Sequence, residues 1–147
     1  MIGDLNANQI DDVLRSEVVG RIGCIAEGYP YVVPITYVYD GDFVYGHSSE
    51  GLKLRAMREN PLVCFEVEQI RSMRDWRCVI ARGHFEQLWS DDAEHALDLL
   101  ATRLAPLAQK DGSYRDRDEA AHREEGILRP ILFQIRLVDR TGRYQER

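Results

Sequence analysis

A run of β-branched and aromatic residues followed by a tight-turn signal most limits the folds open to this chain. Residues 31–39 read YVVPITYVY, a composition that favours an extended strand. Asp40-Gly41 follows, a pair typical of two-residue hairpin turns because both central positions need positive φ. Phe43–His47 supplies a return strand, and the short apolar run Arg21–Ala26 precedes the pair. Residues 21–47 therefore predict a three-stranded antiparallel meander.

The rest of the chain adds strands more often than helices. Three further strands are predicted over residues 62–67, 76–88 and 127–138, with Gly83 as a bulge or a point of close approach. The spacing of Ile10, Val13 and Leu14 predicts a short first helix, capped by Asn6 or Asn8 and ended by Gly20. Further helices are predicted over 52–59 and from Ser90. The sequence thus predicts a single domain over residues 1–147, mainly β of the α+β class: a six-stranded antiparallel barrel with a few short helices.

Composition and charge exclude several classes of function. The 147 residues carry a net charge of −6, whereas proteins that bind nucleic-acid backbones are usually basic. No apolar run is long enough to cross a membrane, and the first twenty residues lack the pattern of a secretory signal. The three cysteines are widely spaced in apolar stretches, which predicts reduced core thiols in a cytoplasmic protein. No spacing of histidines and cysteines predicts a metal site.

Pro34 lies inside the second predicted strand. Proline cannot donate a hydrogen bond to a neighbouring strand, so it marks an edge, a bulge or a split in the sheet. Two interpretations stay open at this point: a simple edge-strand proline, or a place where the sheet opens for a ligand.

The loop over residues 46–51 joins a predicted strand to a predicted helix. A helix beginning at Leu52 would offer free N–H groups and the positive end of its dipole, which suit phosphate. His47, Ser48, Ser49 and Lys53 add polar and cationic groups. These residues predict a phosphate pocket, with a hydrated turn as the alternative.

Three motifs together resemble a known family. The first is YPYVVPITY at residues 29–37 with Asp40-Gly41. The second combines YGHS at 45–48, Gly51, Lys53 and RENP at 58–61, and the third runs from Trp76 to Gly83 with Glu86. Together they resemble the FMN-binding split-barrel proteins related to pyridoxamine 5′-phosphate oxidase, within the flavin-nucleotide-binding branch that includes the nitroimidazole-resistance reductases.

The resemblance implies a split β-barrel homodimer with FMN at the subunit interface. It places the isoalloxazine ring along a strand, largely against backbone groups, and the phosphate and ribityl end at the loop before residue 52. It places further contacts where the partner subunit contributes, although Cys78 stands where pyridoxamine phosphate oxidases carry an amide. The implied cofactor-binding residues are Val33, Pro34, Ile35, Thr36, Tyr37, His47, Ser48, Ser49, Lys53, Trp76, Arg77 and Cys78. His47 is also the candidate catalytic proton donor or substrate contact.

The resemblance further implies an FMN-dependent oxidoreductase acting on small flat acceptors, either nitroaromatic or quinone-like. The tail over residues 141–147 lacks the Arg- and His-containing segment that grips substrate phosphate in pyridoxamine phosphate oxidases, so vitamin B6 oxidation is not expected. Two alternatives stay open: a non-catalytic, stress-linked flavin-binding module, and the same barrel holding a deazaflavin or haem. The charged residues 109–126 predict a loop or solvated helix, with a lid as the functional option.

Overall fold

The computed structural model describes residues 1–111 and 130–147. Its strands are β1 (Ile2–Asp4), β2 (Val19–Ala26), β3 (Tyr29–Thr36), β4 (Val38–Tyr39), β5 (Phe43–Ser48), β6 (Leu62–Ser72), β7 (Asp75–Gln87) and β8 (Ile131–Gln145). Its helices are α1 (Ala7–Ser16), α2 (Leu52–Glu59) and α3 (Ser90–Asp111).

The strands form one antiparallel sheet whose two ends are neighbours in sequence. The order is β3-β2-β6-β7-β8-β5-β4, with β1 added beside β8. The terminal strands β3 and β4 are separated only by Tyr37, so the sheet curls until its two edges meet. This arrangement is an antiparallel β-barrel split between β3 and β4, and it confirms the predicted fold class.

The predicted number of six strands and the continuous meander are wrong. The run over residues 31–39 breaks at Tyr37, whose N–H donates to the Val18 carbonyl at 3.0 Å and whose hydroxyl donates to the Leu14 carbonyl at 2.7 Å. As a result β3 pairs with β2, while β4 pairs with β5 at the opposite end of the sheet. Together with β1, which the sequence analysis did not anticipate, this break gives eight strands among the described residues.

Helices α1 and α2 pack apolar residues into the barrel. Val13 and Leu14 of α1 and Leu54 and Met57 of α2 are fully buried. They share one core with inward-facing strand residues, including Phe65, Val67, Val79, Ala81, Phe133 and Ile135. Burial of these side chains is the main stabilising contribution of the helices.

Local capping explains where α1 begins and ends. Asn6, and not Asn8, is the N-cap: its side chain accepts from the Gln9 N–H at 2.9 Å, and the Gln9 side chain accepts from the Asn6 N–H at 2.9 Å. The helix ends at Ser16, before the predicted stop at Gly20, which instead belongs to β2.

Three further boundaries differ from the prediction because long-range strand pairing extends the elements. Residues 69–75, expected to be a connection, form the end of β6 and the start of β7, with only a short turn between them. Strand β8 continues through Gln145 into the expected tail, since it pairs with β7 and β1. Helix α3 includes residues 109–111 of the charged segment, and the rest of that segment lies outside the described residues.

The expected irregularity at Gly83 is confirmed. The β7–β8 register shifts between Arg82 and Gly83. A Cβ added at Gly83 would lie 2.6 Å from Ile135 Cγ2 and 2.7 Å from the Arg136 carbonyl oxygen, so this close approach requires glycine.

Candidate functional site

Backbone N–H and C=O groups of alternate residues point outward from the free edge of β3. The Tyr37 N–H donates to Val18, and hydrogen-bonded and non-hydrogen-bonded pairs alternate along an antiparallel ladder. Val33 and Ile35 therefore turn their backbone polar groups toward β2, whereas those of Val32, Pro34 and Thr36 face away from it. No other described strand pairs with this edge of β3, so these groups are available to a ligand.

Pro34 occupies a position that suits proline on this edge. It faces Arg21 in a non-hydrogen-bonded pair, so its missing N–H removes nothing from the β2–β3 ladder. Pro30 stands in an equivalent position opposite Ile25. Because Pro30 and Pro34 have no backbone N–H, the outer edge of β3 carries more hydrogen-bond acceptors than donors. Another β-strand would therefore pair with it poorly.

The side chains along β3 differ in their exposure. Pro34 and Thr36 are exposed and Val33 is half-buried, whereas Ile35 and Tyr37 are buried in the core. Ile35 and Tyr37 therefore support the strand from inside, and their side chains are not available to a ligand at this edge.

The N-terminus of α2 carries unsatisfied backbone donors. The first intrahelical bond runs from the Arg55 N–H to the Gly51 carbonyl at 3.1 Å, so the N–H groups of Leu52, Lys53 and Leu54 lie ahead of the helical ladder. No side chain among the described residues caps this end of the helix. Free donors combined with the positive end of the helix dipole suit an anion.

Lys53 adds a cation in the first turn of α2. Its side chain is half-buried, and burial lowers the pKa of its ammonium, an effect that the neighbouring Cys24 partly opposes. Within the described residues, no carboxylate lies within 4 Å of the Lys53 ammonium. Cys24 pairs with Tyr31 of β3 in register, so Lys53 lies on the β2–β3 side of the barrel.

The other residues of the predicted phosphate pocket lie close in sequence to Lys53 but point in different directions. Gly46 faces the barrel interior, where an added Cβ would lie 2.6 Å from Phe133 Cζ. Ser48 shares that face of β5, whereas His47 leaves the strand on the opposite face and is exposed. Ser49 is exposed, and its carbonyl accepts from the Ser48 hydroxyl at 2.8 Å.

Trp76, Arg77 and Cys78 lie far from the β3 edge within one chain. They belong to β7, and the order β3-β2-β6-β7 separates them from Pro34 by three strand spacings, about 14 Å. Trp76 and Cys78 are half-buried on the outer face of the sheet, and Trp76 Nε1 donates to Gln145 Oε1 at 3.1 Å. One chain does not bring these residues to the β3 edge.

A polar cluster on the outer face was missed by the sequence analysis. Arg21 Nη1 lies 2.9 Å from Glu68 Oε1 and 3.4 Å from Glu66 Oε1, and the Cys78 thiol donates to Glu66 Oε2 at 3.3 Å. Burial, and then the hydrogen bond to Glu66, raises the pKa of Cys78 to about 12. Burial also raises the pKa of Glu66, and Glu68 adds to that effect. Two carboxylates at alternate positions of the otherwise apolar run over residues 62–68 were the available signal.

The outer face around this cluster is largely apolar. Exposed residues include Val32 at 64%, Leu62 at 60%, Ile70 at 66% and Ile80 at 49%. A groove of about 670 Å³ crosses the face between β3 and β8, with Cys64 among its lining residues. Cys64 is exposed, which corrects the expectation that all three cysteines lie in the core; only Cys24 is buried.

The same part of the chain holds neither a metal cluster nor a membrane-spanning helix. Across residues 1–111 and 130–147, no three His, Cys, Asp or Glu side chains are grouped to hold a metal ion. None of the helices in these ranges combines the length and apolar content needed to cross a bilayer.

Comparison with known proteins identifies the family. Residues 6–143 match the family model described as pyridoxamine 5′-phosphate oxidase. An uncharacterised protein of Rhizobium meliloti is 31% identical over 141 residues, which is 95% of this chain and 92% of that protein. A FAD-binding protein of Mesorhizobium loti is 29% identical with a TM-score of 0.76 and 99% coverage of both chains. A candidate 5-nitroimidazole antibiotic resistance protein of Bacteroides thetaiotaomicron is 20% identical with a TM-score of 0.71, covers 98% of this chain and 87% of its own, and shares the fold. The chain belongs to the pyridoxamine 5′-phosphate oxidase family.

Proposed function

We propose that this chain binds a flavin nucleotide, FMN, with the phosphate at the start of α2. The observation that carries the proposal is Lys53, a half-buried cation without a carboxylate partner among the described residues, beside the uncapped N–H groups of that helix. A phosphate would supply the missing negative charge and accept from both kinds of donor. Ser48 and Ser49, at the end of β5 and just after it, are the proposed neighbouring hydroxyl donors, with the Ser48 hydroxyl turning from the Ser49 carbonyl to the phosphate.

The edge of β3 fits the polar rim of a flavin ring. The N–H groups of Val32 and Thr36 are donors for the ring carbonyls, and the carbonyl of Pro34 is an acceptor for the ring N–H. A small planar ligand needs only these few bonds, whereas a full strand would need the donors that Pro30 and Pro34 lack. In this arrangement Val33, Ile35 and Tyr37 support the edge without touching the ring through their side chains.

We propose that the site is completed by a second copy of the chain. The exposed apolar face around Ile80 is of the kind that a soluble protein covers by association. A partner subunit would also bring its Trp76, Arg77 and Cys78 to the ring, which one chain alone does not do. Analytical ultracentrifugation is expected to show a dimer at about 10 µM protein, a concentration suited to ordinary dimer affinities; a monomer at ten times that concentration would reject the dimer.

The proposed activity is reduction of small flat acceptors, nitroaromatic or quinone-like. A bound flavin would supply the hydride and electron chemistry. The chain itself would bind the phosphate, align the ring along β3, and offer His47 as proton donor to the acceptor. His47 is exposed on β5 just before the phosphate loop, so an acceptor can reach it from solvent.

FAD is the alternative to FMN as the bound flavin. The protein of Mesorhizobium loti at 29% identity is described as FAD-binding. Isothermal titration with FMN, FAD and riboflavin separates the cases: FMN is expected to bind at least about tenfold more tightly than riboflavin, which lacks the phosphate. Tighter binding of FAD than of FMN would show that FAD, and not FMN, is the cofactor. Equal binding of FMN and riboflavin would reject the phosphate site.

Catalysis is tested separately from binding. The flavin-loaded protein is mixed anaerobically with NADH or NADPH and then with a panel of nitroaromatic and quinone acceptors, while the flavin absorption is followed. Bleaching followed by recovery with an acceptor is expected. A flavin that neither reductant bleaches would favour the non-catalytic binding module instead.

A further inference from the structure

The outer sheet face that we propose as the contact between two copies is not uniformly apolar. At its centre, Arg21 on β2 holds Glu66 and Glu68 on β6, and Cys78 on β7 donates to Glu66. In register, Arg21 is flanked by Pro34 on one side and by Glu66 and then Ile80 on the other. The cluster therefore lies between the proposed flavin strand and the exposed apolar residues.

Counted by charge, the cluster has one carboxylate too many. Arg21 supplies one positive charge against the two negative charges of Glu66 and Glu68, and the neutral thiol of Cys78 supplies none. Neighbouring arginines do not correct the surplus, because each has its own carboxylate: Arg82 of β7 pairs with Asp139 and Arg143 of β8 pairs with Asp4.

When a second copy covers this face, it removes water from the carboxylate that Arg21 does not balance. Desolvation of an unbalanced carboxylate is unfavourable, and taking up a proton relieves the cost. Glu66 is the group placed to take it up, since its side chain is 23% exposed against 35% for Glu68 and Arg21 Nη1 lies 3.4 Å from it against 2.9 Å from Glu68. The raised pKa of Glu66 in the free chain agrees with this assignment.

We infer that self-association through the outer face is coupled to proton uptake by the Arg21–Glu66–Glu68–Cys78 cluster, one proton for each copy. This inference rests on the proposed dimer. The sign follows from linkage: if association raises the pKa of Glu66, the dimer binds more protons than two free chains, and its dissociation constant falls as pH falls through the interval between the two pKa values. A flavin site completed by the partner would then be favoured at mildly acidic pH.

The test is the dimer dissociation constant measured by analytical ultracentrifugation at about pH 8.5 and about pH 5.5, in the same buffer and salt. Across a pH range that spans both pKa values, a shift of one pKa unit in each of the two copies makes the constant fall by about 100-fold, and the same shift in only one copy makes it fall by about tenfold. Glu66→Gln is expected to abolish the dependence and to dimerise at the higher pH as tightly as the wild type does at the lower.

Two further variants keep the test decisive. Glu94→Gln removes the same charge from the exposed face of α3 and is expected to keep the wild-type dependence. Glu68→Gln balances the charges of the cluster by a different route and is expected to flatten the dependence, even if Glu66→Gln fails to fold. A wild-type dimer with a constant that does not change with pH, or a full dependence in both cluster variants, overturns the coupling alone. A monomer at both pH values overturns the proposed dimer and the coupling with it.

Discussion

Replacing Lys53 by methionine separates a ligand-binding cation from a structural one. Methionine keeps the unbranched stem of the side chain and removes only the ammonium. In the free protein the ammonium is half-buried and has no carboxylate partner among the described residues, so its removal takes nothing favourable from the fold. We therefore expect Lys53→Met to be at least as stable as the wild type while binding FMN more weakly.

The expected loss of affinity follows from the kind of contact. A hydrogen bond to a charged group contributes about 1.5–3 kcal/mol, which corresponds to a loss of about 10- to 150-fold in the dissociation constant. The contribution of the Lys53 ammonium to stability depends on pH. Because burial lowers the pKa of Lys53, the protonated ammonium opposes folding at neutral pH, and this penalty disappears as pH rises past the folded and then the unfolded pKa.

The assay pairs titration calorimetry with thermal unfolding of the ligand-free protein. Arg55→Met is the matched control, since it removes an exposed cation from the same helix two residues later. It is expected to change FMN affinity by less than about threefold. Riboflavin affinity is expected to be the same in Lys53→Met and the wild type. If Lys53→Met unfolds at a lower temperature and binds FMN as tightly as the wild type, the ammonium is structural and the reasoning fails.

Three other predictions test separate parts of the structure. With iodoacetamide at about pH 8, and with the protein diluted until it is monomeric, mass spectrometry is expected to find the exposed Cys64 modified first, because a pKa of about 12 leaves Cys78 with only about 1 thiolate in 10,000. Rapid labelling of Cys78 in the free chain would contradict its bond to a carboxylate. Gly83→Ala is expected to lower the free energy of unfolding by about 1–3 kcal/mol in denaturant melts, whereas Gly51→Ala, where an added Cβ meets nothing within 4 Å, is expected to cost less than about 1 kcal/mol; equal costs would refute the close approach at Gly83. Tyr37→Phe loses a buried hydrogen bond to a backbone carbonyl and is expected to cost about 1–2 kcal/mol of stability without changing FMN affinity, and a change in affinity alone would place its side chain at the ligand.

Local signals were enough to predict much of this protein. The spacing of apolar residues located α1 and α2, the Asn6 cap located the start of α1, and Asn60-Pro61 located the end of α2. The glycine and proline positions were informative because each reflects a backbone constraint: Gly83 at the register shift and Pro34 on an unpaired edge. The three motifs led to the family, which the match over residues 6–143 confirms.

The features that local signals missed depend on partners distant in sequence. Tyr37 breaks a strand because α1 offers the Leu14 carbonyl to its hydroxyl, a contact across 23 residues. The tail becomes part of β8 only because β7 and β1 are there to pair with it. The exposure of Cys64 depends on which face of β6 points outward, and one residue of register decides that. The cluster around Glu66 likewise needs three strands to be aligned before it exists.

We propose that the edge of β3 holds a flavin ring and that the start of α2 holds its phosphate. The most direct test of this proposal is the visible absorption spectrum of the purified protein after incubation with FMN and passage through a gel-filtration column, run beside a sample incubated with riboflavin. We expect a flavin spectrum that elutes with the protein in the FMN sample, at about one flavin per chain, and little or none in the riboflavin sample. Protein that elutes colourless from both samples would contradict the claim.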